Sequence, residues 1–555
     1  MNFKKLTGVF LLSSIFLAIG VAIYFSQDAS TEKPVSITNI PDLRIGESNL
    51  KQKVESERIT EGVILHQIVR GTPSKSDYFT LTSTLLPKGR LEDLKRRYVQ
   101  LGYESDIVYS AEKGPDGQDL GGYVQVGEFK YKSDANRLKE ENADIFEGLS
   151  VRFTAESGHP TTGPFQISVL EVDLSKTSDR FKSALPGNQV KGLAKTSKVA
   201  SNNGAIAAVN GGYFAWEDSV GVPGDPAGIS IIDGRIVSEA VSGRPALFLR
   251  SESGPKIEIM DNVDTVLNFT IENSLYRAHG INREPGKVLN CGSPLDPDMG
   301  IPVHDFVCKN ENEVVIFTRD YGRSVELSSG RVVSVIDGKV SASRDLGDIT
   351  EISIPENGLL VSVNGASIKE VDANVGDNIE LDFKVIAGNS EVQVGSGMYA
   401  VNGGPLLMKN GMVTVENRGP EGWDVEYVGG SVTDRYVDKN DDLGTAAASD
   451  AGAAINELNR ADFYHAWVVR RHPRTAVGIT GDGKAYVITI YGRQPGVTAG
   501  ASITEVANAL ESLGAEWAIN LDGGGSAMMI VDGQPTGLSS DKDGEREVGD
   551  VLLLQ

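Results

Sequence analysis

The sequence predicts an α+β protein in three parts: an apolar N-terminal helix, a small unit that alternates strands and helices, and a large strand-rich unit. Three observations predict it. Leu6–Phe25 is a run of twenty residues without a charge. Between residues 62 and 156 the order strand, helix, strand occurs twice. From residue 163 to 555, short apolar runs alternate with glycine and Asp/Asn turn pairs, and helical periodicity is sparse.

The N-terminal run has the length of a membrane-spanning helix at ~1.5 Å of rise per residue. Lys4 and Lys5 before it favour a cytoplasmic N-terminus. A cleaved signal peptide is the alternative, but its apolar region is usually about 7 to 15 residues and ends at a small-x-small site, which is not evident here. Residues 1–27 are therefore expected to be an inner-membrane anchor or a signal. The bulk of the chain is then in the extracytoplasmic space of a bacterium, anchored or secreted. Residues 28–61 are polar with scattered prolines and read as a linker.

In the small unit, Tyr78–Leu86 alternates and is rich in Thr and Leu, as a strand is. Leu91, Leu94, Tyr98 and Leu101 have helical spacing over Lys88–Leu101. Asp106–Tyr109 is a short strand. Tyr123–Phe129 then reads as a strand, Ser133–Glu141 as a helix capped by Ser133, and Leu149–Thr154 as a strand. Two β-α-β units in succession make a ferredoxin-like plan. The stretch Gly122-Tyr123-Val124-Gln125-Val126-Gly127-Glu128-Phe129, followed by Asp134-Ala135 and Leu138, resembles the SPOR domain. That resemblance covers only residues 62–156 and implies binding to peptidoglycan glycan strands stripped of their stem peptides.

The large unit, 163–555, repeats one local pattern. Ala205–Val209 runs into Asn210-Gly211-Gly212, and Met398–Val401 into Asn402-Gly403-Gly404. Trp517–Ile519 runs into Asn520-Leu521-Asp522-Gly523-Gly524-Gly525-Ser526. Each is followed by a second apolar run and a turn pair: Asp233-Gly234, Asn410-Gly411 and Asp532-Gly533. Consecutive glycines give no side chain to pack, so they mark a sharp bend or a close approach to the backbone. Beside these stand amides, a carboxylate and a hydroxyl, and the bends read as a site. Ser502-x-x-Glu505 opens a helical segment, Ser502–Leu513. Asp261–Ile386 reads as an inserted subregion, and Glu416–Ala466 as a polar loop or lid. Cys291 and Cys308 are the chain's only cysteines, and export favours a disulfide between them over two buried thiols.

Residues 200–555 resemble the phosphodiester glycosidase family. The matching pieces are Val209-Asn210-Gly211-Gly212-Tyr213-Phe214, Pro223–Gly228, Val315–Thr318 with Tyr321-Gly322, Val401–Leu407, Arg474–Gly478 with Asp482-Gly483, and Asn520–Ser526, in the family's order. The resemblance implies a glycosidase, a hydrolase that cleaves the bond between a sugar's anomeric carbon and a phosphodiester.

That chemistry can be set against the residues. Glycoside cleavage passes through an oxocarbenium-like state and commonly uses two carboxylates. Asp522 is the first candidate, as nucleophile, general base or electrostatic stabiliser. Its plain alternative is a turn Asp that bonds the glycine amides. Glu217, Asp218 and Asp225 are candidates for the second carboxylate. Arg474 is the candidate phosphate ligand, because a guanidinium binds oxyanions bidentately; His472 and Arg493 would assist it. Gly523, Gly524, Gly525 and Ser526 are candidates for a nest of backbone amides around an anion. Asn210 with Gly211 and Gly212, Asn402 and Asn520 are candidates for sugar-hydroxyl contacts, Asn210 foremost and grouped with Asp522 and Arg474 as catalytic. Tyr213 and Trp216 are candidates for stacking, whereas His304 and His465 read as ordinary polarity.

A net charge of -23 argues against broad nucleic-acid binding. No zinc-ligand spacing or EF-hand loop is evident, and Asp438–Asp442 reads as a solvated acidic loop, so neither metal nor cofactor is expected. The expected function is cleavage of sugar-1-phosphodiester bonds in a cell-wall or extracellular polysaccharide, targeted to peptidoglycan by the SPOR-like unit. The alternative is a non-catalytic glycan-binding or cell-division scaffold protein.

Overall fold

Short apolar runs punctuated by Gly and Asx turns make strands almost throughout. The structure, a computed structural model, is 44% strand and 14% helix. It describes residues 40–555 except 87, 115, 116, 118, 252, 253, 294, 296–301, 416–420, 424–431 and 436–462, with backbone alone at 432–435. The expected α+β class with a transmembrane helix is thus corrected. The large unit outweighs the small one, and its frequent turns leave room for few helices, such as Thr196–Asn203 and Ile503–Ser512. Among the described residues no helix is long and apolar enough to cross a membrane. Leu6–Phe25 lies outside those residues, as do Asp438–Asp442 and most of the expected lid.

Gln52–Thr60, expected within the linker, is a strand at the edge of an eight-stranded sheet. It pairs with Val63–Arg70, which pairs in turn with Phe165–Asp173. Its polar residues hid it, since edge strands carry charges that discourage further pairing.

Phe79–Thr82, Ser105–Tyr109, Gly122–Phe129 and Ser150–Phe153 form a separate antiparallel sheet with helices Lys88–Gln100 and Lys132–Glu141. The second helix begins one residue before Ser133 and has no side-chain cap. Leu81, Val124, Val126 and Val151 pack with Leu91, Tyr98 and Ala135 of the helices. The alternate residues Thr80, Thr82, Gln125 and Arg152 are also buried, facing a small cavity that His465 and Arg470 help to line. Both faces of this sheet are therefore covered.

Three sheets build the site, one of them the eight-stranded sheet that Gln52–Thr60 edges. Ala207–Asn210 lies in a five-stranded sheet between Met529–Val531 and Val551–Leu554. Met398–Asn402 lies in an eight-stranded sheet between Ser230–Ile232 and Arg244–Arg250. Ala515–Asn520 lies in the other eight-stranded sheet, between Arg474–Thr480 and Leu406–Lys409. One apolar core joins all three through Val209, Leu247, Val401, Val477, Ile519 and Leu552. Ile379–Ala387 pairs along its whole length with the 263–271 half of Lys256–Ile271, and the two bracket a subregion with its own five-stranded sheet.

Cys291 and Cys308 are joined by a disulfide that ties Lys287–Cys291 to Pro302–Lys309. A loop of this size, 17 residues in separation, should contribute about 3 kcal/mol by restricting the unfolded chain. Reduction should therefore lower the unfolding free energy in urea by about that amount. An unchanged midpoint would mean that the strand pairing alone holds these ends together.

Candidate active site

The three bends meet, and their asparagines are the fasteners. Asn210 is fully buried. Its Nδ2 donates to the Asp522 carbonyl at 2.6 Å, and its Oδ1 accepts from the Thr475 hydroxyl at 2.7 Å and the Met528 N–H at 3.3 Å. Its side chain thus holds the Asp522 bend to Thr475 and Met528. Asn402 pairs with the Tyr213 backbone as a neighbouring strand would, accepting its N–H at 2.8 Å and donating to its carbonyl at 3.2 Å. Asn520 donates to the Tyr213 hydroxyl at 2.9 Å and to the Gly404 carbonyl at 3.0 Å. Both are buried, and the Asn520 Oδ1 has no hydrogen-bond partner among the described residues.

The glycines permit this convergence. A Cβ on Gly212 would lie 2.5 Å from the Asn402 carbonyl oxygen, and one on Gly403 would lie 2.6 Å from that of Asn520. Gly211 and Gly212 turn their N–H groups onto Asp550, the first to its carbonyl at 3.0 Å and the second to its Oδ1 at 2.8 Å. The expected anion nest is not open. The Gly523 N–H bonds the Asp522 Oδ1 at 2.8 Å, that of Gly524 the Pro473 carbonyl at 2.9 Å, and that of Ser526 the Gly523 carbonyl at 3.0 Å. Gly525 instead makes room for the guanidinium of Arg546, which a Cβ would meet at 2.2 Å.

Asp522 is half-buried at the end of its strand, and the second carboxyl near it is Asp550, which sequence reasoning missed. Asp550 is 1% exposed, and its Oδ2 has no hydrogen-bond partner. Burial, opposed by the Gly212 N–H and reinforced by the charge of Asp522, raises its pKa to about 7. The signal was an Asp set in an apolar run, Val548-Gly549-Asp550-Val551-Leu552. By contrast, Asp225 is raised by burial and by Glu239, with Arg283 opposing. It belongs to the ion-pair cluster in which Arg283 lies 2.6 Å from both Glu239 and Glu313.

The raised Asp550 pKa has a sign that can be measured. An Asp has an unfolded pKa of about 3.9, so between that pH and about 7 the unfolded state ionises while the folded state keeps its proton. Stability is thus lost as pH rises through this window. Asp550→Asn keeps an acceptor for Gly212 and cannot ionise. It should unfold at higher urea than the native chain at pH 8, by at most about 4 kcal/mol, with a smaller gap at pH 5. A variant equally or less stable at pH 8 would contradict the buried, proton-bearing carboxyl.

Around Tyr213 lies an aromatic cluster. Its ring is 4.7 Å from His304, 5.8 Å from Trp423 and 6.2 Å from Trp467, and the two tryptophans are 4.5 Å apart. Burial pushes the Tyr213 hydroxyl well above its ordinary pKa, and the charge of Asp522 adds to this, while Arg474 and Arg244 act against it. Two guanidinium groups stack on the tryptophans of this cluster, Arg244 4.7 Å over Trp423 and Arg474 4.9 Å over Trp467. His304, read from sequence as ordinary polarity, is part of this cluster. Trp423 and Trp467 were hidden at the two edges of the supposed lid, while Trp216 packs in another apolar cluster.

Arg474 is buried, donating from Nε to the Ala501 carbonyl at 3.2 Å and from Nη2 to the Trp467 carbonyl at 2.6 Å, with its guanidinium 4.9 Å over the Trp467 ring. His472 is not the cation expected. Its Nε2–H donates to the Ala466 carbonyl at 2.8 Å and its Nδ1 accepts from the Arg493 Nη2 at 3.1 Å. Burial first, then Arg493 and Arg474, hold its pKa well below the usual histidine range. His472 thus positions Arg493, whose guanidinium lies against the Gly523–Ser526 turn. Arg493 also holds a left-handed φ of 56°, an uncommon and costly conformation for a non-glycine residue.

This geometry, an Asp at a bend of glycines beside buried guanidinium groups and stacked aromatic rings, suits a sugar carrying an anionic group. Residues 329–555 match the profile of the phosphodiester glycosidase family. That segment holds Asn402, Arg474, Asp522 and Asp550. Comparison with curated proteins gives no match. Among solved structures, that of a candidate exported protein from Burkholderia pseudomallei K96243 is 28% identical with a TM-score of 0.80, over 93% of this chain and 98% of that one. A hypothetical protein from Synechocystis is 15% identical with a TM-score of 0.49, over 93% and 81% of the two chains. The catalytic domain of zebrafish N-acetylglucosamine-1-phosphodiester alpha-N-acetylglucosaminidase, auto-inhibited by its pro-peptide, is 13% identical with a TM-score of 0.29, over 86% and 88%.

Proposed function

We propose that the chain is an extracytoplasmic phosphodiester glycosidase. It cleaves the bond between a sugar's anomeric carbon and the oxygen of a phosphodiester, in a cell-wall or extracellular polysaccharide. The observation that supports this reading is the junction of the three bends, where Asn210 holds the Asp522 bend, Asn520 bonds the Tyr213 hydroxyl, and Arg244 and Arg474 stack on Trp423 and Trp467 of the Tyr213 cluster. In the step, the C1–O bond breaks, water adds its oxygen to C1, and the phosphomonoester leaves with the former bridging oxygen. Asp522 faces the positive charge that develops at C1. Burial raises the Asp550 pKa to about 7, so below that pH it holds its proton and the two carboxyl groups do not both carry charge. A phosphate leaving group requires little protonation, and the guanidinium field offsets the charge it gains. The exported assignment of the Burkholderia relative supports an extracytoplasmic location.

The reading includes peptidoglycan targeting by residues 62–156, supported by their resemblance to SPOR domains. Both faces of that sheet are covered, so glycan contact would fall to its helices and edges. The full chain should be retained on amidase-treated peptidoglycan, and retention equal to that on untreated peptidoglycan would remove this part. For the chemistry, the chain is incubated with UDP-sugars and sugar-1-phosphate methyl esters while free sugar is followed. Release is expected; binding without release across the panel would leave a non-catalytic glycan-binding protein.

A further inference from the structure

Arg244 is a buried cation of the candidate site. It begins the Arg244–Arg250 strand, next to the strand that delivers Asn402, and is 4% exposed. Its Nε donates to the Glu421 carbonyl at 2.8 Å. Among the described residues neither Nη1 nor Nη2 has a hydrogen-bond partner. Its guanidinium lies 4.7 Å over the Trp423 ring, which is 4.1 Å from the His304 ring. The His304 Nδ1 is likewise buried and unpartnered. Two unsatisfied guanidinium nitrogens in such a place carry a desolvation cost that a bound anion would offset. Arg474, the residue that sequence pattern favours, has at least two of its donors turned onto backbone carbonyls.

We propose that Arg244 is the oxyanion ligand of this site: its Nη1 and Nη2 take two oxygens of the substrate's phosphoryl group, and the His304 Nδ1 accepts a hydrogen bond from a neighbouring sugar hydroxyl. The fork geometry of a guanidinium suits two oxygens of one phosphoryl group. Burial and the charges of Arg244 and Arg474 keep His304 neutral, so its Nδ1 is an acceptor. The Trp423 ring holds the guanidinium in plane from one side. Specificity follows, because a neutral glycoside would leave the guanidinium unmatched. The inference rests on the reading of the pocket as a sugar-phosphodiester site and names the residue that selects the phosphate.

Two experiments test it. Inorganic phosphate is titrated calorimetrically into the full chain and into Arg244→Gln and Arg244→Lys. Saturable binding is expected, at least ~10-fold weaker in Arg244→Gln and intermediate in Arg244→Lys, since Lys keeps the charge without the fork. Equal affinity in all three overturns the proposal, as does equal affinity of the native chain for acetate. Because Arg244→Gln can fail to fold, crystals of the unmodified chain are also soaked in tungstate. Tungstate within hydrogen-bond reach of Arg244 Nη1 and Nη2 is expected; tungstate only elsewhere, or none, overturns the assignment. Phosphate binding at Arg244 without sugar release would sink the glycosidase reading and leave this one. Sugar release with unchanged phosphate affinity in Arg244→Gln would do the reverse.

Discussion

Replacing Asp522 with Asn should lower kcat/KM for sugar release from a sugar-1-phosphodiester by at least ~10³-fold, with little change in urea midpoint. The reason lies in what the exchange keeps. The Asp522 Oδ1 accepts the Gly523 N–H at 2.8 Å, and an Asn oxygen can accept the same bond. The Asp522 backbone, held by Asn210 and Gly211, is untouched. What is lost is the negative charge opposite a developing oxocarbenium ion. A turn-forming role alone would leave the rate within a few-fold of native. A variant that unfolds early but retains its specific activity would likewise remove Asp522 from the chemistry.

The second large effect is on stability. Asn210→Ala should destabilise the chain by about 3 kcal/mol or more, because it strips partners from three groups in a dry interior at roughly 1–3 kcal/mol each. Those groups are the Asp522 carbonyl, the Thr475 hydroxyl and the Met528 N–H. They belong to separate segments, so the loss also frees the Asp522 bend. Activity should fall through kcat as the bend loosens. An Asn210 that touched sugar would behave differently: its alanine variant would raise KM and leave the urea midpoint in place. Unfolding curves and steady-state kinetics on one preparation separate the two.

These contrasts mark what the sequence can disclose. The three bends were legible because their signal is local: glycines directly after an apolar run. The Ser502–Glu505 capping box was legible for the same reason, and both of its hydrogen bonds are present. What the bends hold was not legible, since the partners are far apart in the chain. Asn210 reaches Asp522 across 312 residues, Tyr213 reaches Asn402 across 189, and Gly212 reaches Asp550 across 338. Amides expected to greet a sugar are instead turned inward, because a buried bend must satisfy its own backbone before it can serve a ligand. Arg244 and Asp550 were passed over because each sits in an apolar strand run that reads as core. Gln52–Thr60 escaped because an edge strand and a polar linker share a composition. The class expectation erred by weighting the small α/β unit and the N-terminal apolar run over the long strand-rich remainder.

The central claim is that this pocket breaks a carbon–oxygen bond and leaves the phosphorus untouched. Hydrolysis of a sugar-1-phosphate methyl ester in ¹⁸O-labelled water tests it most directly, with the products analysed by mass spectrometry and ³¹P NMR. Free sugars exchange their anomeric oxygen, so the phosphorus product decides. The account predicts methyl phosphate without ¹⁸O, with label in the promptly quenched sugar. Label in the phosphate would mean attack at phosphorus, and, like an absence of hydrolysis by the native chain, would contradict the account.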